Sequence, residues 1–90
     1  MRYALICHDK PGHLDVRKAN REAHLAYVAE TGVVEMAGPL LSDADEMCGS
    51  LVILSVETLA EARAWADADP YARAGLFESV TVMPWKKVIG

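Results

Sequence analysis

The chain is poor in cysteine, has no long apolar run, and nowhere concentrates positive charge. Each shortage removes a class of protein. Two cysteines, Cys7 and Cys48, cannot make the disulfide framework of a small secreted scaffold. Their spacing relative to the histidines matches no zinc-binding pattern. The richest apolar stretch, Leu51 to Val56, falls far short of the roughly 20 residues that a membrane-spanning helix needs. The nine lysines and arginines are scattered through a chain of net charge −4, so no basic footprint for nucleic acid exists. The opening residues lack the length and cleavage site of a secretory leader, and a cytoplasmic protein with both thiols free is expected. There is no glycine-rich phosphate loop and no nucleophile elbow.

What is present is an apolar share of 52% beside a charged share of 24%, a balance that argues for a packed core and against disorder. Ninety residues, 1–90, make one domain. A chain of this size buries only about 60% of its unfolded surface. With neither disulfides nor a metal to help, association with a second copy is the expected source of further burial, and a homodimer is the expected partner state.

Arg2 to His8 alternates as a strand, with Tyr3, Leu5 and Cys7 on one side and Ala4, Ile6 and His8 on the other. Asp9-Lys10-Pro11-Gly12 is a loop. Asp15 reads as the N-cap of a helix that runs to about Thr31 and stops at Gly32, with Val16, Ala19, Ala23, Ala26 and Tyr27 as its apolar stripe. Val33 to Leu41 reads as a second strand, with Gly38-Pro39 marking an edge or a break. Ser42 to Cys48 is turn-like, and Gly49 to Val56 is a third strand. Thr58 and Glu61 form a capping box that opens a second helix, reaching to about Ala68. Pro70 interrupts it, Tyr71 to Gly75 adds about one turn, and Phe77 to Trp85 is the last strand. The class is α+β with the order βαββαβ, two similar halves in succession. Strands one and three are apolar on both faces and belong in the middle, which gives an antiparallel sheet in the order 4-1-3-2. Both helices cover one face, and a second subunit is expected on the other.

Three groups of residues could carry chemistry. His24 falls on the shoulder of the first helix's stripe, with Arg17 and Arg21 beside it, where partial burial makes an imidazole's titration movable near neutrality. The plainer reading is a core-edge histidine bonded to backbone. Asp69 shares a side with the core positions of the second helix and precedes Pro70-Tyr71. It reads first as an N-cap with proline at the first helical position, and its carboxylate could also orient an imidazole. Cys7, His8, Asp9 and His13 are the one metal-like cluster, but Cys7 and His8 point to opposite faces of a strand, so no metal site is expected. Trp65, Tyr71, Phe77 and Trp85 read as core or interface aromatics.

Arg21-Glu22-Ala23-His24-Leu25, Ala37-Gly38-Pro39, Gly49-Ser50, Ala66 to Tyr71, Ala74-Gly75-Leu76 and Val80 to Val88 together resemble the YCII or YciI-like family, in order and over nearly the whole chain. The His-Leu and Asp-Pro-Tyr elements are the most specific. Glu22 departs from the pattern, in which proline is common. The resemblance implies a ferredoxin-like fold in dimers of the dimeric α/β-barrel type. It further implies a cleft in which His24 and Asp69 pair as an active-site dyad, and cofactor-free proton and leaving-group chemistry of the dehydrochlorinase or muconolactone-isomerase kind. The expected function is then a small-molecule lyase or isomerase without a cofactor. In it Arg21 holds an anionic group of the substrate, and Gly38, Pro39, Ser50 and Tyr71 make the other contacts. Two alternatives stay open: a covalent phosphohistidine at His24 with Arg17 or Arg21 neutralising it, and a non-catalytic ligand-binding module.

Overall fold

Alternation of apolar and polar side chains builds the sheet, and the register shows which side of it each residue takes. The computed structural model describes residues 1–90. Strand β1 (Arg2–Asp9) is central; it pairs antiparallel with β3 (Met47–Ser55) on one side and with β4 (Phe77–Trp85) on the other. Strand β2 (Val34–Leu41) adds to the far edge of β3, giving the order β2-β3-β1-β4. This is the expected α+β, ferredoxin-like arrangement. Pro39, which has no N–H for a ladder, lies on the edge strand β2, where that lack is tolerated. β2 is not broken at Gly38-Pro39; its irregularities fall between Val34 and Met36 and between Leu40 and Leu41. β3 begins at Met47, two residues earlier than the turn-like composition of Ser42 to Cys48 suggests.

The first helical segment differs from expectation. Two helices replace one: α1 (Leu14–Ala19) and α2 (Arg21–Thr31), broken at Asn20. Asp15 lies in the first turn and His13 occupies the cap position, with no side-chain cap. The Asn20 side chain donates to the Val16 carbonyl (2.9 Å), the local competition with helix bonding that places asparagine at helix ends. Gly32, at φ 64°, ends α2 in the left-handed conformation that glycine adopts without penalty. The expected stripe is also displaced. Ala19, Ala23 and Ala26 are exposed, and the buried face carries Arg17, His24, Tyr27, Val28 and Thr31.

Helix α3 (Leu59–Ala68) opens with the expected cap: Thr58 Oγ1 accepts from the Glu61 N–H at 3.2 Å. Helix α4 (Pro70–Arg73) follows after one residue, capped by Asp69. The core lies between the sheet and the helices, where Tyr3, Leu5, Cys7, Val52 and Leu54 meet Ala62, Trp65 and Ala66. Two hydrogen bonds fix α2 against α3: Tyr27 donates to the Trp65 carbonyl (2.8 Å), and the Trp65 indole donates to Thr31 Oγ1 (2.9 Å). The opposite face of the sheet has no helix over it. Register places Ile6 beside Leu51, Ala4 beside Ile53 and Met83, and Met36 beside Ile53. Leu51, Met36, Met83 and Trp85 are between 38% and 54% exposed there. No helix is long and apolar enough to cross a membrane.

Candidate functional site

The Asp-Pro step at the end of α3 makes the site possible. Proline at the first position of α4 leaves Asp69 as the cap, and Asp69 Oδ1 accepts the Tyr71 N–H at 3.0 Å. The same oxygen lies 2.8 Å from His24 Nδ1. Both side chains are buried, at 10% and 5% exposure. An ionised carboxylate only accepts, so Nδ1 donates and the neutral imidazole carries its lone pair on Nε2. Nε2 has no partner within the chain, yet no buried side-chain nitrogen or oxygen lacks one, so Nε2 reaches solvent. The Tyr71 ring stacks on the imidazole at 4.1 Å between centroids and 12° between planes, and meets Phe77 edge-on at 6.1 Å. Hydrogen bond and stacking together hold the imidazole in one orientation.

A second buried pair stands beside the first. Arg17 is 3% exposed. Its Nε and one terminal nitrogen donate to the two oxygens of Asp9, at 2.7 and 2.8 Å. That terminal nitrogen also donates to Ser50 Oγ at 2.9 Å. The guanidinium carbon lies 4.7 Å from the Tyr71 ring centre, a cation–π distance. Burial works against the Arg17 charge, but the hydrogen bonds and charge of Asp9 outweigh it, and the guanidinium's pKa lies above its ordinary value. Burial also raises the Tyr71 phenol, with Arg17 and Arg21 pulling it partly back. Beneath them, burial and the Asp69 charge push the Cys7 thiol up to about 12. Cys7 is therefore a core side chain with no thiolate to offer.

Beside the two pairs lies a cavity of about 310 Å³ between α2, α4 and the β2–β3 end of the sheet. Arg21, His24, Gly38, Pro39, Ser50 and Tyr71, all singled out from sequence, line it. Asp69 lies behind His24 and does not. Arg17 lines it too, with apolar walls that include Val28, Val34, Ala37 and Val52. The tie from Asp9 through Arg17 to Ser50 was invisible in the sequence, because it joins three elements with no local spacing signal. The four residues of the metal-like cluster go separate ways. Cys7 is buried, His8 is exposed, Asp9 pairs with Arg17, and His13 Nδ1 lies 2.9 Å from the Pro11 carbonyl.

Fold and site define an α+β, ferredoxin-like protein with a buried His–Asp pair that opens on a small cavity. Within that class the chain belongs to the YCII-related family, whose model matches residues 1–86. It is 41% identical over 97 residues to Protein YciI of Escherichia coli O6:H1, covering 98% of this chain and 99% of that one. Among solved structures it is similar to 5-chloro-2-hydroxyhydroquinone dehydrochlorinase from Burkholderia phenoliruptrix AC1100, in complex with 2,5-dihydroxybenzoquinone. The TM-score is 0.86 at 35% identity, over 96% of this chain and 94% of that one. An antibiotic biosynthesis monooxygenase, at 11% identity and a TM-score of 0.60 over 98% of both chains, shares the fold alone.

Proposed function

We propose that the protein is a small-molecule lyase or isomerase that works by general acid–base chemistry, with His24 as the base and Asp69 as its orienting partner. The observation that carries this reading is the divided imidazole: Nδ1 is held by a buried carboxylate at 2.8 Å, while Nε2 has no partner within the chain and His24 lines a cavity. That division is what a proton-abstracting histidine needs, because it fixes the tautomer and the direction of the lone pair and stabilises the imidazolium once formed. In the reaction Nε2 takes a proton from the substrate and returns it to another atom (isomerisation), or the electron pair expels a leaving group (elimination). Arg21, Gly38, Pro39, Ser50 and Tyr71 contact the substrate. The similarity to a dehydrochlorinase supports this class, since loss of hydrogen chloride is a proton removal coupled to departure of chloride. The working form is a cytoplasmic homodimer whose second copy covers the open sheet face, where Leu51, Met36, Met83 and Trp85 would otherwise stay wet.

The test uses the relative's chemistry. The purified chain is incubated with 5-chloro-2-hydroxyhydroquinone for chloride release, and with 2,5-dihydroxybenzoquinone in heavy water for ring-proton exchange. The expected result is catalysis that falls by about 10²–10⁴-fold in His24→Gln. Asp69→Asn keeps a cap on α4 and loses the anionic partner, so rate falls while the fold holds. A His24→Gln protein with undiminished rate refutes the mechanism.

A further inference from the structure

The polar equipment of the cavity is one-sided. Its polar lining consists of Arg17, Arg21, His24, Ser50 and Tyr71, with no aspartate or glutamate among the lining residues. Ser50 is 4% exposed, and its oxygen already accepts from Arg17. The hydroxyl proton finds no acceptor within the chain, although a buried donor is costly to leave unpaired. Arg17 holds the hydroxyl in that sense: a guanidinium on the oxygen turns the proton away from itself. Arg17 is in turn fixed by both oxygens of Asp9. Arg21 has no ion pair and no side-chain hydrogen bond. Of the two cations lining the cavity, Arg17 is paired with Asp9 and Arg21 has no ion pair, while the Asp69 carboxylate stands behind His24 and is engaged by it. The remaining walls are apolar, and the volume is at the small end of ligand pockets, about 300–1,000 Å³.

We propose that the substrate binds as an anion: a small, otherwise apolar organic acid whose ionised oxygen is received by the Ser50 hydroxyl and the Arg21 guanidinium. This rests on reading the cavity as the substrate site; to the expected anion contact of Arg21 it adds the Ser50 hydroxyl, its proton turned outward by Arg17, as the second donor and fixes the ligand as a small, otherwise apolar acid. The carboxylate and the enolate or phenolate share this chemistry. Arg17 is a positioning residue here, acting on the ligand through Ser50. Arg21, the lining cation without an ion pair, makes the contact salt-dependent.

Calorimetric titration of the full chain with benzoate against benzamide, and with para-nitrophenolate against para-nitroanisole, tests the proposal. The charged member of at least one pair is expected to bind about tenfold tighter or more, as charged hydrogen bonds imply, and less tightly as salt is added. Preference in the first pair identifies a carboxylate ligand and in the second a phenolate or enolate. Ser50→Ala and Arg21→Gln each reduce the preference about tenfold, and Ser50→Thr, which keeps the hydroxyl, restores it. Arg21 is exposed, so Arg21→Gln tests the idea without disturbing the core. Equal binding of anion and neutral partner in both pairs, no measurable binding of either anion, or a preference that survives both substitutions together overturns the proposal. His24→Gln separates the two readings. It should lower turnover by about 10²–10⁴-fold and keep the anion preference; in the unsubstituted protein, absence of the preference beside intact proton exchange sinks only the substrate class.

Discussion

Asp9→Ala should be among the most damaging single changes in the chain. The Asp9–Arg17 pair is 6% and 3% exposed, so both charges have been taken out of water. Removing the carboxylate deletes two short hydrogen bonds and leaves the guanidinium with Ser50 Oγ and the face of Tyr71. Breaking a buried pair from one side costs about 3–5 kcal/mol, because the remaining charge is uncompensated. A chain of this length holds about 5–14 kcal/mol of stability in all. The loss is thus about a fifth of the total or more, and at about 4–8 °C per kcal/mol it lowers Tm by about 12 °C or more. The assay is urea unfolding at one fixed protomer concentration, because association would otherwise shift the midpoint. Wild type, Asp9→Ala, Arg17→Met and the double variant form the cycle. Removing both charges leaves nothing uncompensated, so the double variant should be more stable than Asp9→Ala alone, with a coupling of about 2 kcal/mol or more between the sites. An Asp9→Ala loss below about 1 kcal/mol, the size measured for exposed pairs, would mean that water reaches this pair in solution, and the reasoning fails.

Three other outcomes can be checked beside it. The folded Cys7 thiol titrates at about 12 against an ordinary 9.0, so its contribution is complete below the unfolded thiol's pKa and is lost as pH rises towards 12. One unit above the ordinary value this amounts to about 1.4 kcal/mol, seen as a falling unfolding midpoint that Cys7→Ala flattens; the raised tyrosines 27 and 71 add to the loss at still higher pH. Gly49→Ala should destabilise by about 2 kcal/mol or more, because an added Cβ would press on the Cys7 carbonyl oxygen, which cannot yield without distorting β1; thermal unfolding measures it. Leu51→Lys, on the open sheet face, should turn a dimeric species monomeric in sedimentation, whereas Arg63→Ala on the outer face of α3 should not.

The sheet was legible because its signal is redundant. β1 and β3 carry apolar residues on both sides and so had to be central, and each boundary has its own chemistry: Gly32 after α2, Thr58 with Glu61 before α3, Asp69-Pro70 before α4. The Asp69 cap was readable for the same reason, and it brought one half of the site with it. What could not be read was how α2 is turned. Alanine buries little area and tolerates water, so Ala19, Ala23 and Ala26 mark no face, and the stripe drawn through them is off by about a quarter turn. The break at Asn20 and the early start of β3 at Met47 belong to the same class of miss, since tertiary pairing decides them over local composition.

The true inner face of this segment is polar at a seven-residue interval: Arg17, His24 and Thr31, with Tyr27 and Val28 beside them. His24 and Thr31, seven apart, lie on nearly one line of α2, and Arg17 turns inward from α1 across the break at Asn20. Packing alone would put the available alanines there, because each buried polar group must find a partner to be tolerated. Each has found one: Arg17 on Asp9, His24 on Asp69, Thr31 between the Tyr27 carbonyl and the Trp65 indole. The Thr31 contacts close the helix pair and face no cavity. Arg17 and His24 both line the same hollow, and Tyr71 touches both. A segment that keeps Ala19, Ala23 and Ala26 in water and Arg17 and His24 inside has placed polarity where stability does not require it, an inversion that the proposed function accounts for.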